Sequence, residues 1–290
     1  MLKKRLIATL IIREGIVVQS LNFRRYLPIG NPAIAIEFLN SWGIDEIVLL
    51  DITASKDHSC KKYEFIEKIS RECFVPLTVG GGINSIDDIR LLLKYGTDKI
   101  CLNSHCLGSP EFITEAARIF GSQCIVISID VVGASADEYR VYNAAKGLRT
   151  DIHPVDWAKK VEAMGAGEIY LTSVERDGTK NGFDLALIGS VSANVKIPVI
   201  ASAGAGNPNH ILEVFTNTNA SAVSAANFFH FSEHSVITTK ALLKKNKIDI
   251  RLNTHANYEN NYLTGNFRLG KQSEDYLEDL IFEKIQKDII

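Results

Sequence analysis

Cys124-Ile-Val-Ile-Ser-Ile-Asp130 is an apolar, β-branched run that stops on a carboxylate. Such a run reads as a strand buried on both faces, which calls for a parallel sheet covered by helices. Asp130, at the C-terminal end of that strand, has two readings. It either caps the next loop or stands where α/β barrels keep catalytic groups.

The same strand–helix unit recurs on either side. Arg5 to Ile12 reads as a first strand, followed by a loop with Glu14-Gly15. Asn31-Pro32 opens a helix through Trp42, and Gly43 ends it. Glu46 to Leu50, closed by Asp51, is the second strand, and a helix over Tyr63–Cys73 leads to Leu77-Thr-Val. Ser85 caps a helix to Tyr95 with Gly96 as its stop. Lys99–Leu102 is the fourth strand, with a helix over 110–120 behind it. Beyond the opening stretch come a helix over Pro154–Met164, strand Glu168–Leu171, a helix from Asp184 and strand Pro198–Ser202. Helix 208–216, strand Ala222–Ala225 and helix 235–244 complete the series. Eight such units predict an α/β fold, a (β/α)8 TIM barrel over residues 1–252.

Bulk properties agree. The 290 residues are 46% hydrophobic and 23% charged, with a net charge of −2, which gives no electrostatic basis for binding nucleic acid. Met1-Leu-Lys-Lys-Arg-Leu enters a strand pattern without a signal-like apolar region, and no apolar run is long enough to span a bilayer. A cytoplasmic location is expected. Cys60, Cys73, Cys101, Cys106 and Cys124 form an odd set without C-x-x-C spacing, so reduced thiols are expected and neither a metal site nor a cofactor.

The chain repeats itself in halves. Gly43–Asp51 echoes Gly165–Ser173, Pro76–Gly82 echoes Pro198–Gly204, and Asn103-Ser104 lands on Ala225-Ala226, all at one offset of 122 residues. Three matches at a single offset argue for two half-barrels of common origin. Gly80-Gly81-Gly82 follows a strand and precedes a helix, where backbone N–H groups can approach a phosphate closely. Glycine in such a turn also has a plain backbone explanation. The repeat supplies a second cradle at Ala203-Gly204-Ala205-Gly206. Asn103 and Ser104 complete the first cradle, and Asp177-Gly178-Thr179 the second. A phosphorylated small molecule is the expected ligand, held at both ends or at one.

Asp51-Ile-Thr-Ala-Ser, Thr78-Val-Gly-Gly-Gly-Ile83, Phe120-Gly-Ser-Gln, Gly165-Ala-Gly-Glu, Leu171-Thr-Ser, Arg176-Asp-Gly-Thr-Lys180 and Phe229-His-Phe231 together resemble the cyclase subunit of imidazole glycerol phosphate synthase. The resemblance covers about residues 1–252. It implies two phosphate sites, to which Gly81, Gly82, Asn103, Ser104, Asp177, Gly178, Gly204, Ala226 and Asn227 are assigned. It also implies a glutaminase subunit docked on the N-terminal face, sending ammonia through the barrel. A charged ring of Arg5, Glu46, Lys99 and Glu168 would gate that path. The same ring also reads as a salt-bridge layer that merely plugs the barrel bottom.

Departures from the family pattern are specific. The family's two catalytic aspartates close strands one and five. Asp130 matches the second, whereas the first falls on Ile11, which cannot transfer a proton. A lysine of the first loop falls on Gln19, a cradle glycine on Ala203 and a serine on Asn227, and the fifth-strand loop reads Val131-Val-Gly133. Ala8-Thr-Leu-Ile-Ile-Arg13 with Leu27-Pro-Ile-Gly30-Asn-Pro32 is similar to a side branch that works with a glutaminase and a sugar amidotransferase to form acetamidino sugars of surface glycans. Three expectations follow. The first is ammonia delivery for such a sugar, the second a cyclase of histidine biosynthesis using an unrecognised acid, and the third a non-catalytic scaffold for a glutaminase.

Residues 253–290 fall outside the resemblance. Asn253–Asn266 is polar and linker-like, and a helix is expected from Ser273, with Leu277, Leu280, Ile281, Ile285 and Ile289 as one apolar stripe. That stripe would pack on the barrel itself or on a partner subunit.

Overall fold

A computed structural model describes residues 3–53, 61–232 and 234–252, with a few isolated positions beyond. The linker and helix expected over 253–290 lie outside this range, as does Cys60.

Eight parallel strands close on themselves. They are β1 (Arg5–Arg13), β2 (Glu46–Asp51), β3 (Leu77–Gly80), β4 (Lys99–Leu102), β5 (Ile125–Val132), β6 (Glu168–Ser173), β7 (Val199–Ser202) and β8 (Ala222–Ala225). Each pairs with the next, β5 with β6 and β8 with β1, so no edge remains in the ring. Helices follow the strands around the outside, as in the predicted (β/α)8 barrel. Their starts are capped as the sequence indicates. Asn31 accepts from the Ala33 amide and Asp184 from that of Leu187, and Ser85 forms a reciprocal capping box with Asp88.

Alternation along the strands sorts every side chain. On β1, Leu6, Ala8, Leu10 and Ile12 point outward into the core beneath the helices, and Ile7 points into the barrel. On β6, Ile169 and Leu171 face out, whereas Tyr170 joins Ile7, Val48, Cys101, Val126, Ile200 and Ala222 inside. The inward positions of the strands thus carry polar groups at both ends of the barrel with an apolar layer between.

Two hairpins escape the strand–helix pattern. Ile16–Leu21 pairs antiparallel with Arg25–Gly30, in the stretch expected to be a loop. Asn22 and Phe23 take φ of 53° and 56° at its tip, the left-handed pair a tight hairpin turn uses. Arg140–Asn143 and Leu148–Arg149 form the second hairpin, behind β5. Cys73, Cys101, Cys106 and Cys124 are all free thiols.

Candidate active site

The inward-facing residues at the C-terminal ends of the strands line one cavity of about 630 Å³. Asp130, Gly81, Gly82, Asn103, Ser104, Asp177, Gly178, Gly204, Ala226 and Asn227 all border it, whereas Thr179 and Gly206 of the expected second cradle are not in its lining. Ile11 borders it too, where the family pattern expects an acid.

Asp130 is 5% exposed. Burial pushes its carboxyl up to about 6, against the opposing pull of hydrogen bonds from Asn103, Thr172 and Ser128. Asn103 Nδ2 donates to Asp130 Oδ2 at 2.8 Å. A carboxyl poised near neutrality suits proton transfer in either direction. Asn103, assigned to the phosphate cradle by sequence, therefore holds the carboxylate.

Two other carboxylates reach the cavity. Asp51 Oδ1 accepts from the Thr53 amide and hydroxyl. Asp177, raised by burial, accepts from Ser20 Oγ at 2.6 Å and the Phe23 amide at 3.1 Å, while its carbonyl takes the Asn22 amide. Its side chain anchors the first hairpin and offers no donor. Asn227 Nδ2 donates to the Ser20 carbonyl at 2.9 Å, and Gly178 lies so close to Ser20 that no side chain would fit.

The two cradles keep the backbone of the repeat. Gly81 and Gly82 have φ of 114° and 63°, and Ala203 and Gly204, 122 residues on, have 76° and 101°. Ala203 therefore sits in a conformation that disfavours a Cβ.

At the floor of the cavity, with Thr9, Tyr170 and Ser202 among its lining, lies a set of hydroxyls that sequence reasoning missed. Tyr170 reaches from β6 across the barrel to Thr9 (2.7 Å), Ser202 (2.8 Å) and Ser224 (3.2 Å). The period-two pattern of β1, β6, β7 and β8 places all four inside, and that was the available signal.

At the N-terminal end, the four expected gate residues form a closed ring. Arg5 donates to Glu46 at 2.7 Å and to Glu168, and Lys99 bridges Glu46 and Glu168 at 3.0 Å each. Thr78 Oγ1 adds a bond to Glu46. Ile7, not Arg5, pairs with Glu46 in the β1–β2 register, so Arg5 starts one step further out and its long side chain closes the ring. Both glutamates are nearly buried, and each meets two cations.

Residues 5–235 match the family model described as histidine biosynthesis protein. The chain belongs to this family. A putative imidazole glycerol phosphate synthase subunit hisF2 of Vibrio vulnificus is 45% identical over 260 residues, covering 90% of this chain and 95% of the relative. The imidazole glycerol phosphate synthase subunit HisF of a Hydrogenobaculum species is 45% identical over 252 residues, 87% of this chain and all of the relative. The same subunit of Bacillus cereus is 44% identical over the same span. Asp130 lies near the end of β5, and Ile11 and Arg13 border the cavity from β1. No helix among the described residues is long and apolar enough to cross a membrane.

Proposed function

We propose that this chain is the synthase subunit of a glutamine amidotransferase of the imidazole glycerol phosphate synthase type. A glutaminase docks on the N-terminal face, and ammonia passes the Arg5–Glu46–Lys99–Glu168 ring. It reacts in the upper cavity with a phosphorylated substrate. One observation carries this: a ring of alternating charges closes the end of the barrel opposite a cavity holding a buried carboxyl that titrates near 6. Ammonia is small and neutral, so a ring that opens slightly admits it while holding back ammonium. Asp130 takes or gives the proton, and Gly81, Gly82 and Ser104 bind the phosphate with backbone and hydroxyl donors.

The names of the relatives and the family description favour the cyclisation of histidine biosynthesis as the chemistry. Asp51, whose side chain also borders the cavity, would then serve as the second acid. Ile11 favours a second reading, in which the barrel delivers ammonia to a sugar amidotransferase for acetamidino-sugar formation. The test supplies ammonium or the cognate glutaminase with the ribonucleotide substrate of the histidine pathway and measures product. Turnover at the rate of an ordinary cyclase supports the first reading. Absence of product, restored in Ile11→Asp, supports the second.

A further inference from the structure

We propose that His105 is a ligand contact of the first cradle, where its imidazole N–H meets the oxygens of a phosphate monoester held at the Gly81–Gly82 turn and Ser104. The inference deepens the reading above and rests on it.

β3 and β4 end side by side, with Gly80 opposite Cys101. The loops they feed bring Gly81, Gly82, Asn84, Asn103, Ser104 and His105 to the cavity wall. These side chains differ in what they have left to offer a ligand. Asn103 is spent on Asp130, and Asn84 is exposed to solvent. His105 is half-buried, and among the described residues its ring meets Phe112 but no hydrogen-bond partner. An imidazole carries at least one ring N–H in both its neutral and its cationic form. A donor therefore stands unused beside Ser104.

The ring is also held in place. Its centre lies 4.9 Å from that of Phe112 at an interplanar angle of 87°, and Phe112 is buried in helix Glu111–Phe120. A side chain fixed before its ligand arrives loses little rotamer freedom on binding. Packing does not call for the nitrogens. His105 is the second residue of the short helix Ser104–Gly108 after β4, and Phe228 is the second residue of the short helix Asn227–Phe231 after β8. Phe228 borders the cavity as well, so an apolar ring fills the corresponding place in the other half of the barrel.

Two cations border the cavity from elsewhere. Arg13 ends β1 and lies 5.5 Å from the Tyr26 ring centre, and Lys180 follows β6 and lies 5.9 Å from that of Phe231. His105 is thus the lining side chain on the loops of the first cradle itself that can carry positive charge. A hydrogen bond to an ionised phosphate is of the stronger, charge-assisted kind.

The test titrates the full-length protein with inorganic phosphate and ribose 5-phosphate by calorimetry, with unfolding midpoints measured in parallel. His105→Ala and His105→Phe are expected to weaken both ligands about tenfold. His105→Gln keeps an N–H donor and is expected to stay within about threefold of the wild type. In carbon-13 spectra of the histidine rings, the signal missing from His105→Gln is expected to move when phosphate is added to the wild type. Wild-type affinity in His105→Ala with a stationary ring signal overturns the inference while the phosphate reading stands. Equal loss in all three variants, together with lowered unfolding midpoints, assigns His105 to packing and overturns it likewise. No phosphate binding by the wild type overturns that reading and the inference together.

Discussion

Asn103 spends its side-chain amide on Asp130, 2.8 Å from Nδ2 to Oδ2. The bond favours the ionised carboxylate, while burial disfavours it more strongly and leaves the group at about 6. The residue proposed to cradle the anion and the one proposed to move the proton are thus mechanically one unit. Replacing Asn103 with Leu should push Asp130 further up. The acid limb of a pH–rate profile for nitrogen incorporation should then move to higher pH than in the wild type. An unchanged limb would show that Asp130 does not titrate in the rate-determining step.

Asp130 also sets a pH dependence of stability. Its folded value lies above the ordinary carboxyl value of 3.8, so the folded state binds more protons than the unfolded one in between. Stability from this group is present below about pH 4 and is lost as pH rises through about 6. Asp130→Asn is therefore expected to stabilise the protein by up to about 3 kcal/mol above pH 6 and to have little effect near pH 4. Urea denaturation at the two pH values measures the difference.

At the barrel bottom, Lys99→Leu leaves both glutamates sharing Arg5. The expected cost is about 2 kcal/mol, less than for a fully buried pair because Lys99 keeps some contact with water. The functional expectation is uncoupling. The partner glutaminase should still form glutamate while a smaller share of its nitrogen reaches product. A folded variant with the wild-type ratio would show that ammonia does not travel through this barrel.

Lys240 is wholly buried, with Nζ on Asp45 Oδ1 at 2.6 Å, the Gly43 carbonyl at 2.7 Å and the Arg251 carbonyl at 3.0 Å. It ties helix Ser235–Lys245 to the start of β2, and Asp45 also caps the Leu6 amide. Lys240→Met should cost about 3–5 kcal/mol by stranding Asp45. Lys240→Met with Asp45→Asn should recover part of that loss. Thermal unfolding of the single and double variants checks the coupling.

The cradles predict opposite responses to a methyl group. A Cβ at Gly81 would run into the Asp51 backbone at φ 114°, so Gly81→Ala should destabilise by several kcal/mol. Ala203→Gly relieves a left-handed alanine at φ 76° and should be neutral or stabilising by up to about 1 kcal/mol. Chemical denaturation midpoints of the two variants decide this.

The barrel was legible in the chain because its strands are short apolar runs, and several helix starts, at Asn31, Ser85, Asp184 and Asn207, carry a side-chain cap. Those are local signals, fixed by backbone hydrogen bonding and by the period of burial. The cavity membership of Asp130, Gly81, Gly82, Ser104 and Asn227 followed from strand-end position for the same reason. The hairpin Ile16–Gly30 was missed because its second strand is mostly exposed and lacks an apolar run. Nothing local marks Lys240 as buried in an ordinary helix, Asp177 as the anchor of a hairpin more than 150 residues away, or Tyr170 as the centre of a hydroxyl set. Such roles depend on which groups meet when the barrel closes. A polar side chain's partner is chosen by distance in the folded state, whereas the sequence by itself fixes only which face of its strand or helix it occupies.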